Sequence, residues 1–330
     1  MKPWQTVILI LFCCMVLYIV GPMPLRPQYS LTLPEIPQDN FLIERYIKEK
    51  ESKHKIKPDN EARVVWADTN KQKTAFSIVY IHGFSASQEE GNPLHRRLAK
   101  ELGCNLYLAR LEGHGIDTIT AMENFTVDKY WESAKEAYAI GKAIGGEVIL
   151  MGTSTGGTLN LMLAGEFPDI IGVINMSPNI EINDPNAWIL NNPWGLQIAR
   201  MVTGGEDQII KNESETFKKY WTTRYRLEAA VELEELLESK MNNKTFSKVK
   251  QPILNLYYYK NENEQDPVVR VEPIKAMHEN LGTPESLKVI KAMPNVGNHV
   301  MASPIKSKDV DGVYASIKDF VISKLKLKVR

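Results

Sequence analysis

Cysteine is scarce and badly placed. Cys13 and Cys14 are adjacent in an apolar stretch and Cys104 stands alone, which excludes a disulfide framework and a zinc-ligand spacing. Net charge of one sign is missing as well. Forty Lys and Arg offset forty Asp and Glu over 330 residues, so no field draws nucleic acid or another polyanion. No Gly-Lys-Ser/Thr follows a glycine-rich turn and no Gly-x-Gly-x-x-Gly occurs, which removes the phosphate loop and the dinucleotide fingerprint. No internal repeat is present. What remains is 43% hydrophobic and 24% charged, enough for one large α/β domain with an insertion or two modest domains. Nothing in it calls for a metal or a cofactor.

The N-terminal segment 1–21 differs from all that follows. "VILILFCCMVLYIV", Val7 to Val20, carries no charge, and Lys2 precedes it. Its length suits a short membrane span or a long signal h-region. Large residues at Tyr18, Ile19 and Val20, with Pro22 just beyond, disfavour cleavage. The expectation is a single-pass N-terminal membrane anchor, with the rest of the chain on the non-cytoplasmic side; a cleaved signal would make the protein secreted or periplasmic. Residues 22–61 then open on a spacer, "PMPLRPQYSLTLPEIPQ", with five prolines, extended because proline fixes φ and lacks an amide donor. A docking helix follows, with Phe41, Ile43, Tyr46 and Ile47 near one face.

From residue 62 the chain alternates strand, turn and helix. Strands apolar throughout, such as "FSIVYIHG" and "EVILMG", imply a mostly parallel sheet covered by helices on both faces. A ligand site is then expected at the carboxyl ends of the strands. The rhythm breaks across residues 181–249, which read as helices with no strand between them and hold Trp188, Trp194 and Trp221. Strands resume with "QPILNLYYYK". The expected organisation is a core over 62–180 and 250–330, with 181–249 as a helical cap.

"ILMGTSTGGTLNLMLA" places Ser154 between Gly152 and Gly156 at a strand–helix joint. Gly-x-Ser-x-Gly there is a nucleophile elbow: a strained turn exposes the serine hydroxyl, the glycines let strand and helix approach, and the helix N-terminus favours developing negative charge. A serine needs a base to take its proton. Such an elbow takes an acid and then a histidine further along the chain. His299, in the loop "MPNVGNHVMA", is the expected base; His278, in a helix, reads as a surface residue. Asp266, in "NENEQDPVVR" after a strand, is the expected acid, with Glu262, Glu264, Glu181 and Asp184 as competitors. A tetrahedral intermediate would find its oxyanion hole in the backbone N–H groups of Thr155 and Phe84. His82 and His114 read as supports for the neighbouring loops.

These residues resemble the α/β-hydrolase superfamily, and within it the lipase-like branch with monoacylglycerol lipases and lysophospholipases. "HGF" at 82–84, "GHG" at 113–115, "GTSTGG" at 152–157, "DPVV" at 266–269 and "NH" at 298–299 carry the likeness, which runs from about residue 62 to 324. It implies a serine ester hydrolase acting on acyl lipids or other small ester substrates. One departure is that Thr153 and Thr155 flank the serine where many relatives have Met or Gly, which would narrow the acyl site. The cap tryptophans and Met201 could line an acyl channel or only pack the cap. The fold alone also accommodates a peptidase, thioesterase, C–C hydrolase, perhydrolase or non-catalytic scaffold.

Overall fold

The computed structural model describes residues 2–211 and 213–329. Two helices come first, α1 (Pro3–Ile19) and α2 (Asn40–Glu51). The sheet region then runs β1 (Arg63–Val65), β2 (Thr74–Ile81), α3 (Leu94–Leu102), β3 (Asn105–Leu108), α4 (Val127–Ile144), β4 (Gly145–Thr153), α5 (Thr155–Glu166) and β5 (Ile170–Met176). Next come α6 (Gly195–Thr203), β6 (Asp207–Ile209), α7 (Glu215–Tyr220), β7 (Arg224–Arg226), α8 (Leu227–Lys240) and α9 (Asn243–Phe246). The chain closes with β8 (Ile253–Tyr257), β9 (Tyr259–Asn261), β10 (Glu264–Gln265), α10 (Val271–Glu279), β11 (Lys288–Ala292) and α11 (Val310–Ser323).

Seven strands form one sheet in the order β1-β3-β2-β4-β5-β8-β11. Only β1 is antiparallel to its neighbour. Alternation along β2 explains the layering: Val79 and Ile81 enter the core shared with α4, while Ile78 and Tyr80 enter the core shared with α3 and α11. Helices therefore cover both faces, as expected for strands apolar on both sides. Local signals set the helix ends. The Thr126 hydroxyl accepts from the Lys129 amide at the start of α4, and Gly103 closes α3 with φ 64°.

Two features of the insertion differ from the sequence reading. It contains strands: β6 and β7 pair antiparallel, Asp207 opposite Arg226 and Ile209 opposite Arg224. The helical reading also breaks after Tyr220, where α7 ends. The β-branched pair Thr222–Thr223 follows, and the Thr222 amide bonds the Ser85 carbonyl at 2.7 Å, tying the chain to the body in extended form.

The membrane anchor and the orientation drawn from it are overturned. Among the described residues no helix is long and apolar enough to cross a membrane. The helix α1 has 17 residues, about 25 Å at 1.5 Å per residue, against a hydrocarbon core of about 30 Å. Its C-terminal end is bonded to the insertion instead. Trp194 donates its indole N–H to the Leu17 carbonyl (2.9 Å) and its amide to Pro22 (2.9 Å). The proline-rich segment also lies against the body. Trp131 Nε1 donates to the Ser30 carbonyl at 2.7 Å, and the buried Lys135 ammonium donates to Thr32 at 2.6 Å. In α2, Ile43 and Ile47 are buried as the periodicity suggested, while Phe41 is exposed.

Candidate active site

The strand β4 ends at Thr153 and α5 starts at Thr155, so Ser154 occupies the whole turn. It sits at φ 55°, ψ −124°, a region that costs a side-chain-bearing residue about 1–3 kcal/mol. The surroundings hold it there. The Ser154 amide donates to Met176 (2.9 Å), and its carbonyl accepts from Gly157 (2.8 Å) and Asn179 (3.0 Å). Gly152 and Gly156 are needed for closeness. A Cβ on Gly156 would lie 2.0 Å from the Ile81 carbonyl oxygen, and one on Gly152 would lie 2.8 Å from the Gly156 backbone.

Asp266 follows the β9–β10 hairpin beyond β8, and His299 lies in the loop after β11. Both are buried. Asp266 Oδ2 accepts a hydrogen bond from His299 Nδ1 at 2.7 Å, and Oδ1 accepts from the amides of Val268 (2.9 Å) and Val269 (3.1 Å). Burial alone would raise the Asp266 carboxyl; the charge and hydrogen bond of His299, with the two amides, outweigh it and hold the pKa below the usual value. Burial likewise opposes charge on His299, but Asp266 by charge and hydrogen bond, and Glu90 by charge, hold its pKa above the usual 6.5. With Nδ1–H committed to Asp266, Nε2 is left as an acceptor.

The competitors are occupied elsewhere. Glu262 accepts from the Tyr259 hydroxyl, Glu264 pairs with Lys260, Glu181 pairs with Arg270, and Asp184 accepts from the Asn186 amide. His278 corrects the sequence reading. It is buried rather than at the surface, because α10 packs on the sheet and Asn255 of β8 meets its Nδ1 at 3.0 Å. Burial pushes it down to about 4, a neutral structural imidazole.

The loop after β2 is fixed by histidines. His82 Nδ1–H donates to the Gly83 carbonyl (2.8 Å), and Nε2 accepts from the Leu111 amide (3.1 Å). His114 Nε2 accepts from the Ser85 amide (2.9 Å), and its Nδ1 donates to Glu112 (2.7 Å). Burial drives His82 down to about 4 and His114 well below its usual value, so both are neutral. The Gly83 carbonyl shares a trans peptide with the Phe84 amide. With the carbonyl held by His82 and the Ala86 amide, the Phe84 N–H faces the opposite way. Among the described residues, the Phe84 and Thr155 amides donate to no protein acceptor.

Ser154, Thr155, Phe84 and His299 line one cavity of about 430 Å³. Among the described residues, no hydrogen bond joins Ser154 to His299. Such contacts often tighten only with substrate bound. Phe217, Trp221 and Tyr225 supply apolar wall from the insertion. Trp188, Trp194 and Met201 do not; they are exposed on the outside of the insertion, and Trp194 serves the N-terminal contact described above. Thr153 lies beneath the elbow with its hydroxyl 3.0 Å from that of Tyr80, so of the flanking threonines only Thr155 reaches the cavity. Sequence reasoning missed Glu90, a buried carboxylate lining the same cavity. Two adjacent acids in the short stretch "SASQEEG", right after "HGF", were the available signal.

No family model matches the chain. A segment of 105 residues is 33% identical to a thermostable monoacylglycerol lipase of Bacillus sp. (strain H-257); it covers 32% of this chain and 41% of that relative. The match thus spans less than half of the curated relative's length. Among solved structures, a metagenome-derived lipolytic enzyme superposes with TM-score 0.63 at 18% identity over 81% of this chain and 98% of its own. A soluble variant of the Saccharomyces cerevisiae monoglyceride lipase, in complex with a substrate analogue, gives 0.58 at 13% identity over 94% and 100%. Est1E from Butyrivibrio proteoclasticus, solved with ferulic acid, gives 0.55 at 17% over 81% and 95%. At these identities the structural likeness speaks to the fold.

Proposed function

We propose that this chain, which has the α/β-hydrolase fold and resembles the lipase-like proteins of that fold, is a serine hydrolase that cleaves carboxylic esters through an acyl-enzyme on Ser154. The observation that carries the reading is the meeting of a strained serine and an acid-backed imidazole at one cavity. In the first half-reaction His299 Nε2 takes the Ser154 proton as the oxygen attacks the ester carbonyl. Asp266 keeps the ring in the required tautomer and stabilises the imidazolium. The oxyanion binds the amides of Phe84 and Thr155, each of which contributes about a hundred- to a thousand-fold in turnover. His299 then gives its proton to the leaving alcohol. Water, activated by the same nitrogen, releases the acid and restores the serine.

The apolar wall supplied by Phe217, Trp221 and Tyr225 favours an acyl chain or aromatic acyl group over a charged one. Monoacylglycerols are the favoured substrates, with lysophospholipids next. The names of the Bacillus and yeast relatives support a glyceride. A fluorophosphonate probe and a panel of p-nitrophenyl and glyceryl esters test the reading. Wild-type protein is expected to be labelled at Ser154 and to turn over esters; Ser154→Ala is expected to lose both while keeping its circular dichroism spectrum. Labelling at another residue, or ester turnover retained by Ser154→Ala, overturns it.

A further inference from the structure

Glu90 sits in the short 3-10 turn Gln88–Gly91 between β2 and α3, almost wholly buried. A carboxylate is expensive to bury without partners, and the mechanism above does not use it. Its Oε2 accepts the Gly83 amide at 2.6 Å. Both carboxylate oxygens lie 3.0 Å from the point a Cβ on Gly83 would occupy, and that same point is 2.9 Å from Ser154 Cβ. Glu90 therefore stands beside the serine, with His299 on the wall of the same cavity.

We propose that Glu90 is a positioning residue that anchors the loop bearing the Phe84 amide and, as a second carboxylate beside the cavity, stabilises the protonated form of His299. The proposal rests on the serine-hydrolase reading. Two carboxylates then act on one imidazole: Asp266 is bonded to Nδ1, and Glu90 acts through space within the cavity that it and His299 both line. Tyr80 faces Glu90 from β2, Tyr130 from α4 and His299 from the loop after β11. The turn also packs against β4, whose ionisable residue Glu147 lies at the far end of the strand, and against α7, where Lys218 is paired with Glu215 at 2.7 Å and Lys219 donates to the Tyr220 hydroxyl at 2.9 Å. The Tyr80 and Tyr130 phenols are held neutral by burial. The Lys306 ammonium on the same cavity is paired with Glu213 at 2.6 Å. That leaves His299 as the cation Glu90 acts on, among the described residues. Burial pushes the Glu90 carboxyl up to about 7, with the Gly83 amide and the His299 charge pulling against it. The negative charge of Glu90 also opposes the oxyanion, so its effect is expected in the pH profile more than in the rate at the optimum.

The test compares wild-type full-length chain with Glu90→Gln and Glu90→Ala. The readouts are kcat/KM against pH for p-nitrophenyl butyrate and the titration of isotope-labelled His299 by NMR. Glu90→Gln keeps an acceptor for the Gly83 amide and removes the charge. It is expected to move both the acid limb and the His299 midpoint down by about one pH unit, with kcat at the optimum within about tenfold of wild type. Glu90→Ala is expected to show the same shift and a further fall in kcat, because the loop loses its anchor. A Glu90→Gln profile and imidazole titration superimposable on wild type overturn the proposal and leave Glu90 as a loop anchor alone. If the Gln variant does not fold, Glu90→Asp, which withdraws the charge by one methylene, is expected to shift the His299 midpoint down by a smaller amount; an unchanged midpoint there overturns it equally. If wild-type protein turns over no ester, the serine-hydrolase reading fails by itself, and the NMR titration still decides the coupling.

Discussion

His299 Nδ1 lies 2.7 Å from Asp266 Oδ2, a contact between residues 33 apart in the chain and on two different loops. Asp266 tests this contact most directly. In Asp266→Asn the amide oxygen can still accept from Val268 and Val269, so the turn is preserved. The amide nitrogen would face Nδ1, which must then accept and place its proton on Nε2. That tautomer cannot take a proton from Ser154. Turnover is expected to fall by about ten-thousand-fold, measured as steady-state hydrolysis of a p-nitrophenyl ester. Glu264→Gln, which touches only the exposed contacts with Lys260 and Asn261, is expected to stay within about twofold of wild type; a reversal of the two results would move the acid to Glu264.

The pH dependence follows from the same pair. His299 must be neutral to act as a base, and its pKa is held above 6.5. The acid limb of kcat/KM is therefore expected at a midpoint above pH 6.5, falling by about tenfold per pH unit below it. The sign is fixed by charge: lowering pH through the raised value fills Nε2 with a proton and removes the acceptor. A rate profile that stays flat down to pH 5 would take His299 out of the base role.

Most of the geometry of this candidate site was legible in the sequence because its parts are tied to chain order. A strained serine between two glycines marks the end of a central strand, and the acid and histidine must come later. Hence Ser154, Asp266 and His299 could be named before the loops were seen to meet. The insertion was less legible. Its ribbon of β6 and β7 is three residues per strand, too short for periodicity to register, and the helix break between the two strands coincides with a bond from Thr222 to Ser85 across the fold. His278 and Glu90 were misread or missed for one reason: the burial of a polar side chain depends on what packs over it, and no local pattern records that. The helix α1 is a matter of length. Its composition suggested an anchor, while the extent of the helix and the Trp194 contacts follow from the folded chain.

Gly156 carries a steric prediction. A methyl group there would meet the Ile81 carbonyl oxygen at 2.0 Å, and backbone cannot rotate aside as a side chain can. Gly156→Ala must push α5 away from β2, and with it the Thr155 amide. Overpacking of this kind costs about 1–3 kcal/mol. A fall in Tm of several degrees is expected, together with a loss of turnover larger than in a core variant of equal Tm. Gly204, whose Cβ would meet nothing within 4 Å but whose φ is 70°, gives a control. Gly204→Ala is expected to lower Tm slightly through backbone strain and leave turnover near wild type.

Trp221 tests the acyl wall. It stacks on Phe217 with ring centroids 4.4 Å apart and planes at 6°, and both rings line the cavity. Lys306 caps the far side of Phe217 at 4.5 Å from its centroid. Phe84 meets Tyr225 edge-on at 5.2 Å, and both line the cavity with Ser154. Trp221→Leu would keep the site apolar but remove much of that surface. A short acyl chain, which touches only the wall nearest Ser154, then loses contact without replacement, while a longer chain can fill the vacated volume. The expected result is a shift of the optimum toward longer chains across a p-nitrophenyl series from acetate to laurate. For butyrate, kcat/KM is expected to fall by about ten- to a hundredfold, the effect of one or two apolar contacts in a pocket. Trp188→Leu, on the exposed outer side of the insertion, is expected to leave the series unchanged. If the two substitutions reorder the series equally, the aromatic wall does not select the acyl group and the choice of substrate must lie with another part of the cavity.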